Sequence, residues 1–431
     1  MKSIWTETKM PKFPELHTRL KTDVLVIGGG MAGLLCAHQL QDSGAQVVLV
    51  EAGRICGGVT ASTTAKITAH HGLIYHKLFQ KLGAERAKLY LEANEDAVAR
   101  FYRLCKEIPC HFESQANFVY SLDDRQILEQ EAHALHRLGC GVSLKEELPL
   151  PFRTAGAVKM KRQAQFHPLE FSAHIAKNLR IFENTPVREL KNGVAVTDFG
   201  EIAADSIVIA THFPMLNKHG FYFLKMYQQR SYVLGLENTD FPGGMFIGGE
   251  ENSLSFRKSG ELLLLGGGGH RTGARGGGWQ ELWNFAQKAY PNAAEVCRWA
   301  TQDCMTLDAM PYIGRYSRRT PNLYVATGFN KWGMTGSMAA SVLLRDLILG
   351  RQSPYEALFS PSRGMNVPRL SANLLHATGN LLRPTRPRCP HMGCALRWNS
   401  AERSWDCNCH GSRFAENGKL LDNPAQDDLP L

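Results

Sequence analysis

The chain has 431 residues, 44% hydrophobic and 21% charged, which is the balance of an ordinary globular protein with room for two or three cores. Its formal charge of +9 is spread without a long Lys/Arg run, so nothing points to nucleic acid, and no stretch approaches about 18 uninterrupted apolar residues, so no membrane span is expected. The N-terminus lacks a signal-peptide apolar core, and most of the eleven cysteines are scattered through helix-like or strand-like segments, a pattern that predicts a cytoplasmic protein rather than an exported disulfide scaffold.

The first strong pattern is DVLVIGGGMAGLLCAHQLQDSGAQVVLVE, Asp23 to Glu51. An apolar run, Val24 to Ile27, predicts a strand buried on both faces. Gly28, Gly30 and Gly33 follow in the spacing G-x-G-x-x-G: one for the tight turn, one for close approach of a pyrophosphate, one for helix-on-strand packing. The next helix, about Met31 to Asp42, offers its amide end to the phosphates. A second strand, Val47 to Val50, ends at Glu51, placed to accept a ribose hydroxyl. Strand, glycines, helix, strand and acid at these offsets predict a dinucleotide site.

The following loop carries Arg54, Thr63, Thr64 and Lys66, donors for a phosphate or a cofactor ring edge, or alternatively a cap for the next helix. Adjacent His70 and His71 point in different directions, and surface or packing roles suit them better than catalysis. Tyr75 to Ile108 reads as amphipathic helix. A strand near Asn117 to Ser121 and a helix near Asp124 to Leu138 come next. Gly156 to Lys161 reads as a strand before a helix opened at Pro168. ENTPVREL reads as a strand, Val194 to Ala204 as a hairpin around Gly200, and SIVIAT as a buried strand ending at Thr211. From Phe213 to Trp299 the chain is strand-rich. Its tract GGGGHRTGARGGG is either a mobile loop or a close approach of backbone to ligand. His270, in that tract, and Tyr232 are candidate catalytic residues, and Arg230 is a further candidate for substrate contact. The strand NLYVAT, the turn GFNKWGMTG and a helix from about Ser337 to Leu349 again set amides and small side chains against a ligand. Lys331, in that turn, is the third catalytic candidate.

The order of GGGMAG, Glu51, TPV, SIVIAT, DAMPYIG and YVATGFNKWGMT resembles the flavin-dependent amine oxidoreductases of the D-amino-acid, glycine and sarcosine oxidase superfamily, over roughly Lys21 to Gly350. The resemblance implies an α/β fold with a Rossmann-like FAD-binding domain in three segments (21–80, 156–212 and 300–350). A β-rich substrate domain (81–155 and 213–299) is inserted between them. It also implies that Val187 lies near the adenine, and that Gly328, Trp332, Gly333, Met334 and Thr335 lie near the flavin ring.

Residues 351–375 read as a connector to a small piece, 376–431, that contains CPHMGCALRWNSAERSWDCNCHGSRF. Cys389 and His391 form C-x-H, and Cys407 and His410 form C-x-x-H. Two loops that each offer a thiolate and an imidazole suit a two-iron, two-sulfide cluster, with both cysteines on one iron and both histidines on the other. A tetrahedral zinc site is the other reading of the same four donors. The half-motifs closely resemble the Rieske iron–sulfur signature. That resemblance implies a disulfide between Cys394 and Cys409 and a hydrogen bond from Ser412 to a cluster sulfide. Position 414 is Phe where high-potential members carry a Tyr donor, so an intermediate potential is expected. Fewer than forty residues separate the flavoprotein's last helix from Cys389, too few for the β-sandwich base of a Rieske domain. The truncated cluster module is therefore expected to dock on the flavin domain.

An FAD-plus-Rieske chain resembles a small family of bacterial flavoproteins with a C-terminal Rieske domain. The expected activity is dehydrogenase-type oxidation of a small amine or amino-acid-like substrate at FAD. Electrons would leave singly through the [2Fe-2S] cluster to an external partner. The reverse flow, from cluster to flavin to substrate, and a non-catalytic redox relay or sensor are the alternatives. With one G-x-G-x-x-G and no second nucleotide-binding unit, direct use of NADH is not expected.

Overall fold

Strand Arg19–Ile27 lies between Glu201–Ile209 and Val47–Val50, parallel to both, and the run Val24 to Ile27 is buried as its continuous apolarity requires. A computed structural model describes residues 2–216, 219–250, 253–364, 367–384 and 387–430 of the chain. Its first sheet has the order Tyr312–Arg315, Leu323–Thr327, Glu201–Ile209, Arg19–Ile27, Val47–Val50, Ile181–Phe182, with the ribbon Val187–Lys191/Val194–Thr197 attached to Glu201–Ile209. Helices Met31–Gln41 and Gly333–Ile348 pack on each other through Leu34, Leu35 and Leu40 and through Met338, Leu343 and Leu344. Helix Ala84–Leu104 adds Leu91, Val98 and Phe101 to the same core, at helical spacing. Gly83, with φ +80°, divides the expected Tyr75 to Ile108 helix into Tyr75–Leu82 and Ala84–Leu104, because only a glycine turns the chain there without strain.

The second sheet has nine strands, in the order Ala294–Thr306, Met226–Glu237, Leu262–Arg271, Ser255–Ser259, Met245–Gly248, Glu113–Ser121, Gly156–Gln165, Lys66–Ile67, with Val142–Lys145 paired to Gly156–Gln165. One face packs Leu234, Phe256 and Leu265 against Trp279, Leu282 and Ala286 of helix Trp279–Ala289, an element the strand-rich reading of this region did not include. Strands Lys66–Ile67, Gly156–Gln165 and Ala294–Thr306 fall wholly or partly inside segments assigned from sequence to the FAD-binding domain, yet all pair into this sheet. An apolar strand carries no mark of which sheet it will join.

The C-terminal module is a four-stranded antiparallel meander of Leu396–Asn399, Ser404–Cys407, Arg413–Ala415 and Leu420–Asp422. The expected connector holds a helix, Val367–Leu381, that packs on the short helix Tyr222–Lys225. The module docks on both sheets. Gln302 Nε2 donates to the Gly411 carbonyl at 2.9 Å, and Arg271 donates to the Cys409 carbonyl at 3.1 Å. Asn423 Nδ2 donates to the carbonyls of Thr211 and Phe213 at 2.7 and 3.1 Å. These contacts join the module to the rest of the chain, as the expected docking requires.

Candidate functional site

A cavity of 1110 Å³ runs from the carboxyl end of the first sheet to the inner face of the second. That exceeds the volume of a usual small-molecule pocket, about 300–1,000 Å³, and leaves room for an extended ligand. Its nucleotide end is built by the glycine turn. Gly28 has φ +110°, and a Cβ there would lie 2.5 Å from the Ala210 carbonyl oxygen. A Cβ at Gly33 would lie 1.8 Å from the Gly28 carbonyl, so Gly33 itself stays behind the wall and permits the helix to approach the strand. Gly28, Gly30, Glu51, Arg54, Thr63, Thr64, Lys66, Val187 and Thr211 all line the cavity.

Several of these side chains are partly committed to the protein. The Glu51 carboxylate accepts the amides of Gly29 and Gly53 at 2.7 and 2.9 Å, which fixes its rotamer and leaves lone pairs toward the cavity. Arg54 pairs with buried Glu183 and donates to the Pro11 carbonyl, so its guanidinium chiefly braces the N-terminal segment. Thr63 caps the Ala65 amide at 2.9 Å. Lys66 Nζ lies 3.3 Å from Thr64 Oγ1, and burial, with Arg257 nearby, lowers its pKa to about 7. Thr60, absent from the sequence candidates, accepts the Met31 amide at 3.0 Å and also lines the cavity.

At the other end the turn brings Lys331, Trp332, Gly333 and Met334 to the cavity, but not Gly328 or Thr335 among the described lining residues. Gly328 (φ +69°) is a packing turn, where a Cβ would meet Thr306 Cγ2 at 2.3 Å. Thr335 is buried beneath the lining and hydrogen-bonds the Thr68 carbonyl and His71. His71 is the more informative residue. Its ring stacks on Trp332 at 4.7 Å, contacts Tyr90 Oη at 2.8 Å, lines the cavity, and is held neutral by burial with a pKa lowered to about 3. The packing role expected for it is thus one that positions Trp332. His70 is buried as well.

The substrate-side candidates separate. Tyr232 lines the cavity and stacks on His270 at 5.6 Å. His270 faces a smaller neighbouring pocket with Tyr227, Gln229 and Arg275, not the main cavity, and burial lowers its pKa. Lys331 reaches the cavity with Nζ 2.9 Å from Ser231 Oγ. Arg230 does not meet the cavity. It is buried and ion-paired with Glu402 of the C-terminal module, because on a bulged strand its side chain falls on the docked face. Asp303, missed in the sequence, lines the cavity beside Lys331; burial raises its pKa to about 6 against the pull of Lys331 and Arg230. Of the glycine tract, Gly266, Gly267 and Gly269 sit on strand Leu262–Arg271 and line the cavity, which favours close backbone approach over a mobile loop.

In the C-terminal module the four predicted donors converge. Cys389 and Cys407 are 2% and 1% exposed. A thiol–thiol hydrogen bond joins Cys389 and Cys407; it lowers the Cys389 thiol and raises that of Cys407. The rings of His391 and His410 lie 5.1 Å apart at 88°. Burial lowers His391 to about 4 and His410 to about 3, which keeps both imidazoles in the neutral form that binds metal. His410 Nδ1 is buried without a hydrogen-bond partner among the described residues, the state of a nitrogen waiting for a ligand. Cys394 and Cys409 are joined in a disulfide whose sulfurs lie within 4.8 Å of Cys407 Sγ. Ser412 Oγ accepts the Ala425 amide at 3.0 Å and also bonds the Cys389 sulfur.

These donors suit an iron–sulfur cluster, and the glycine cradle suits a dinucleotide. The comparisons agree with both. The family described as "FAD dependent oxidoreductase" matches residues 23–347, and "Rieske [2Fe-2S] domain" matches residues 371–431. The chain therefore belongs to the FAD-dependent oxidoreductase family. More particularly, it is an oxidoreductase that combines FAD with a C-terminal Rieske domain and its [2Fe-2S] cluster, which replaces the zinc reading. A Bacillus subtilis (strain 168) relative named "Putative Rieske 2Fe-2S iron-sulfur protein YhfW" is 33% identical, over 97% of this chain and 95% of its own length. The gamma-glutamylputrescine oxidoreductase of Escherichia coli (strain K12) is 24% identical over 81% of this chain and 88% of its own. The glycine oxidase of Geobacillus kaustophilus shares the fold, with TM-score 0.68 and 19% identity over 80% of this chain and all of that one. No helix among the described residues is long and apolar enough to cross a membrane.

Proposed function

We propose that this protein is a dehydrogenase-type flavoenzyme that oxidises a small amine or amino acid and delivers the electrons singly, through its cluster, to an external acceptor. When bound, FAD takes two electrons with a hydride while a [2Fe-2S] cluster carries one, so the pair joins carbon chemistry to one-electron traffic. The observation that carries this reading is a shared wall. Residues 420–426 of the cluster module line the same cavity as Gly28, Glu51 and Trp332. Ala425, in that wall, bonds Ser412, two residues beyond His410.

In this reading Gly28, Gly30 and the amide end of helix Met31–Gln41 hold the pyrophosphate, Glu51 the ribose, and Thr211 and Val187 the adenosine end. Trp332, Gly333 and Met334 face the ring. Cys389, His391, Cys407 and His410 hold the iron. Lys331 and Asp303 set one cation and one carboxylate against the same wall, the pair of charges that a zwitterion complements. Relatives named for glycine and for gamma-glutamylputrescine support a substrate with an amine nitrogen. Tyr232 closes the apolar side.

The test is anaerobic mixing of the holoprotein with a panel of amino acids and amines, reading flavin absorbance and the cluster's EPR signal in one sample. The expected result is flavin bleaching followed by cluster reduction, with ferricyanide turnover faster than peroxide formation in air. Stoichiometric peroxide with the cluster still oxidised would overturn it. So would a flavin that only a chemically reduced cluster can reduce.

A further inference from the structure

Helix Val367–Leu381 is amphipathic the wrong way round. The face turned to the protein carries Asn373, Ala377 and Asn380, at i, i+4 and i+7, with both asparagines buried. Asn373 is locked there: Nδ2 donates to the Leu224 carbonyl at 3.0 Å and Oδ1 accepts from Arg271 at 2.8 Å. The opposite face, with the residue after the helix, exposes Leu374 (46%), Leu375 (72%), Leu381 (45%) and Leu382 (80%). Contiguous exposed apolar side chains of this kind mark interaction surfaces.

The stripe is continuous with the cluster. Arg388 donates to the carbonyls of Leu381 and Gly393 at 3.1 and 2.7 Å, tying the helix end to the loop of His391, beside which Met392 is exposed. On the other side, Phe223 meets the His410 ring edge-on at 5.8 Å and carries exposed Phe221 against it. Of the eleven large apolar side chains exposed among the described residues, these three elements supply six, so the concentration is at the cluster and not general. Charge selects the occupant. Arg383, next after Leu382, and Arg388 are exposed beside the stripe, and between Glu356 and Glu402 the sequence holds no carboxylate.

We propose that this leucine stripe, with Met392, Phe221, Arg383 and Arg388, is the docking face for an acidic one-electron carrier protein. The proposal rests on the reading above that the cluster exchanges electrons with an external partner, and it names that partner's chemistry. A small apolar patch flanked by exposed arginines suits a transient redox encounter, which buries less than about 1,200 Å² in total. A second copy of this chain would set the arginines against one another.

The test is stopped-flow transfer of one electron from dithionite-reduced plant-type ferredoxin, an acidic carrier, to the oxidised cluster of the holoprotein. Leu382→Ser and Arg383→Glu should each slow the transfer about tenfold, and the wild-type rate should fall with salt. Oxidation of the pre-reduced cluster by ferricyanide, which needs no docking, should be unchanged in both variants, as should the cluster's EPR signal. Ferredoxin rates unaltered by both substitutions would overturn the proposal. It would equally fall if Leu382→Ser converted a wild-type dimer into monomers, or abolished binding to vesicles of equimolar phosphatidylglycerol and phosphatidylcholine. If the amine panel fails but the two variants still slow ferredoxin, the dehydrogenase reading is lost and the docking face stands.

Discussion

Arg230 Nε, on the nine-stranded sheet, donates to Glu402 Oε1 of the cluster module at 3.0 Å, across 172 residues of chain, with the two side chains 3% and 9% exposed. Glu402 also accepts from Arg413 at 2.8 Å, and Arg413 reaches Asp406 and Asp422 at 3.0 and 2.9 Å. Burial opposes the charge on Arg413, but Asp406, Asp422 and Glu402 outweigh it and hold the guanidinium protonated. Two cations and three carboxylates thus form one buried network across the junction between the nine-stranded sheet and the cluster module.

Arg230→Met removes one cation and leaves Glu402 desolvated. Breaking a buried pair from one side costs about 3–5 kcal/mol, and the remaining bond to Arg413 puts this case near the lower figure. The urea midpoint for loss of cluster absorbance should fall accordingly, with Arg230→Lys recovering part of it. An unchanged midpoint would show that the pair contributes nothing to docking.

Gly33→Ala tests the nucleotide cradle. The added Cβ would sit 1.8 Å from the Gly28 carbonyl oxygen, so helix and strand must part or the turn must distort. We expect protein that purifies with less than a tenth of the wild-type flavin, a factor that corresponds to at least about 1.4 kcal/mol of lost affinity. Cluster content should be retained. A flavin-to-protein ratio equal to wild type would remove Gly33 from the cradle.

Local rules account for what the sequence disclosed. The strand–glycine–helix–strand–acid series and the two Cys/His loops are contiguous, and their chemistry depends on neighbours a few residues away. Legibility failed where long-range pairing decides. Nothing in TQDCMT says that Asp303 will face a cavity while Gln302, beside it, bonds the Gly411 carbonyl. Arg230 looked like a substrate contact because its partner lies in another module. Val367–Leu381 read as a connector because its polar face is the buried one, which inverts the usual helical pattern.

Phe414 is fully buried among Cys389, Cys407 and Leu396. If the ring keeps its place, Phe414→Tyr adds the hydroxyl donor that the Rieske resemblance expects at this position, and a donor to a cluster sulfur stabilises the reduced, more negative cluster. A bond worth about 1.4 kcal/mol raises a one-electron potential by about 59 mV. An EPR-monitored redox titration reads that shift, and a lowered potential would contradict it.

The pKa of Asp303, raised to about 6 by burial, fixes the sign of a pH effect. Its folded value lies above the ordinary 3.8, so its stabilising contribution is complete at low pH and is lost as pH rises through about 6. Through the same window the carboxylate becomes an anion able to hold an ammonium. KM for a cationic amine should therefore fall as pH rises through about 6, and Asp303→Asn should flatten that profile while stabilising the fold above it. A variant with the wild-type pH profile would assign the step to another group.

The cluster module and the flavin half each complete the other, and cutting the chain shows both debts. Residues 375–431 alone would expose Glu402, Asp406 and Asp422 around one arginine, without Arg230, and would lose the Gln302 and Arg271 contacts to the cluster loops. A four-stranded sheet of that size holds too little core to retain iron unaided, so the fragment should purify colourless. The complementary chain, residues 1–370, keeps both large sheets but loses the wall from 420 to 426. Water and oxygen then reach the cavity from the docked side, and peroxide formation during substrate turnover should rise above that of the full chain. A red, stable fragment, or a truncated chain as sluggish toward oxygen as the whole, would mean that the two modules merely share a polypeptide.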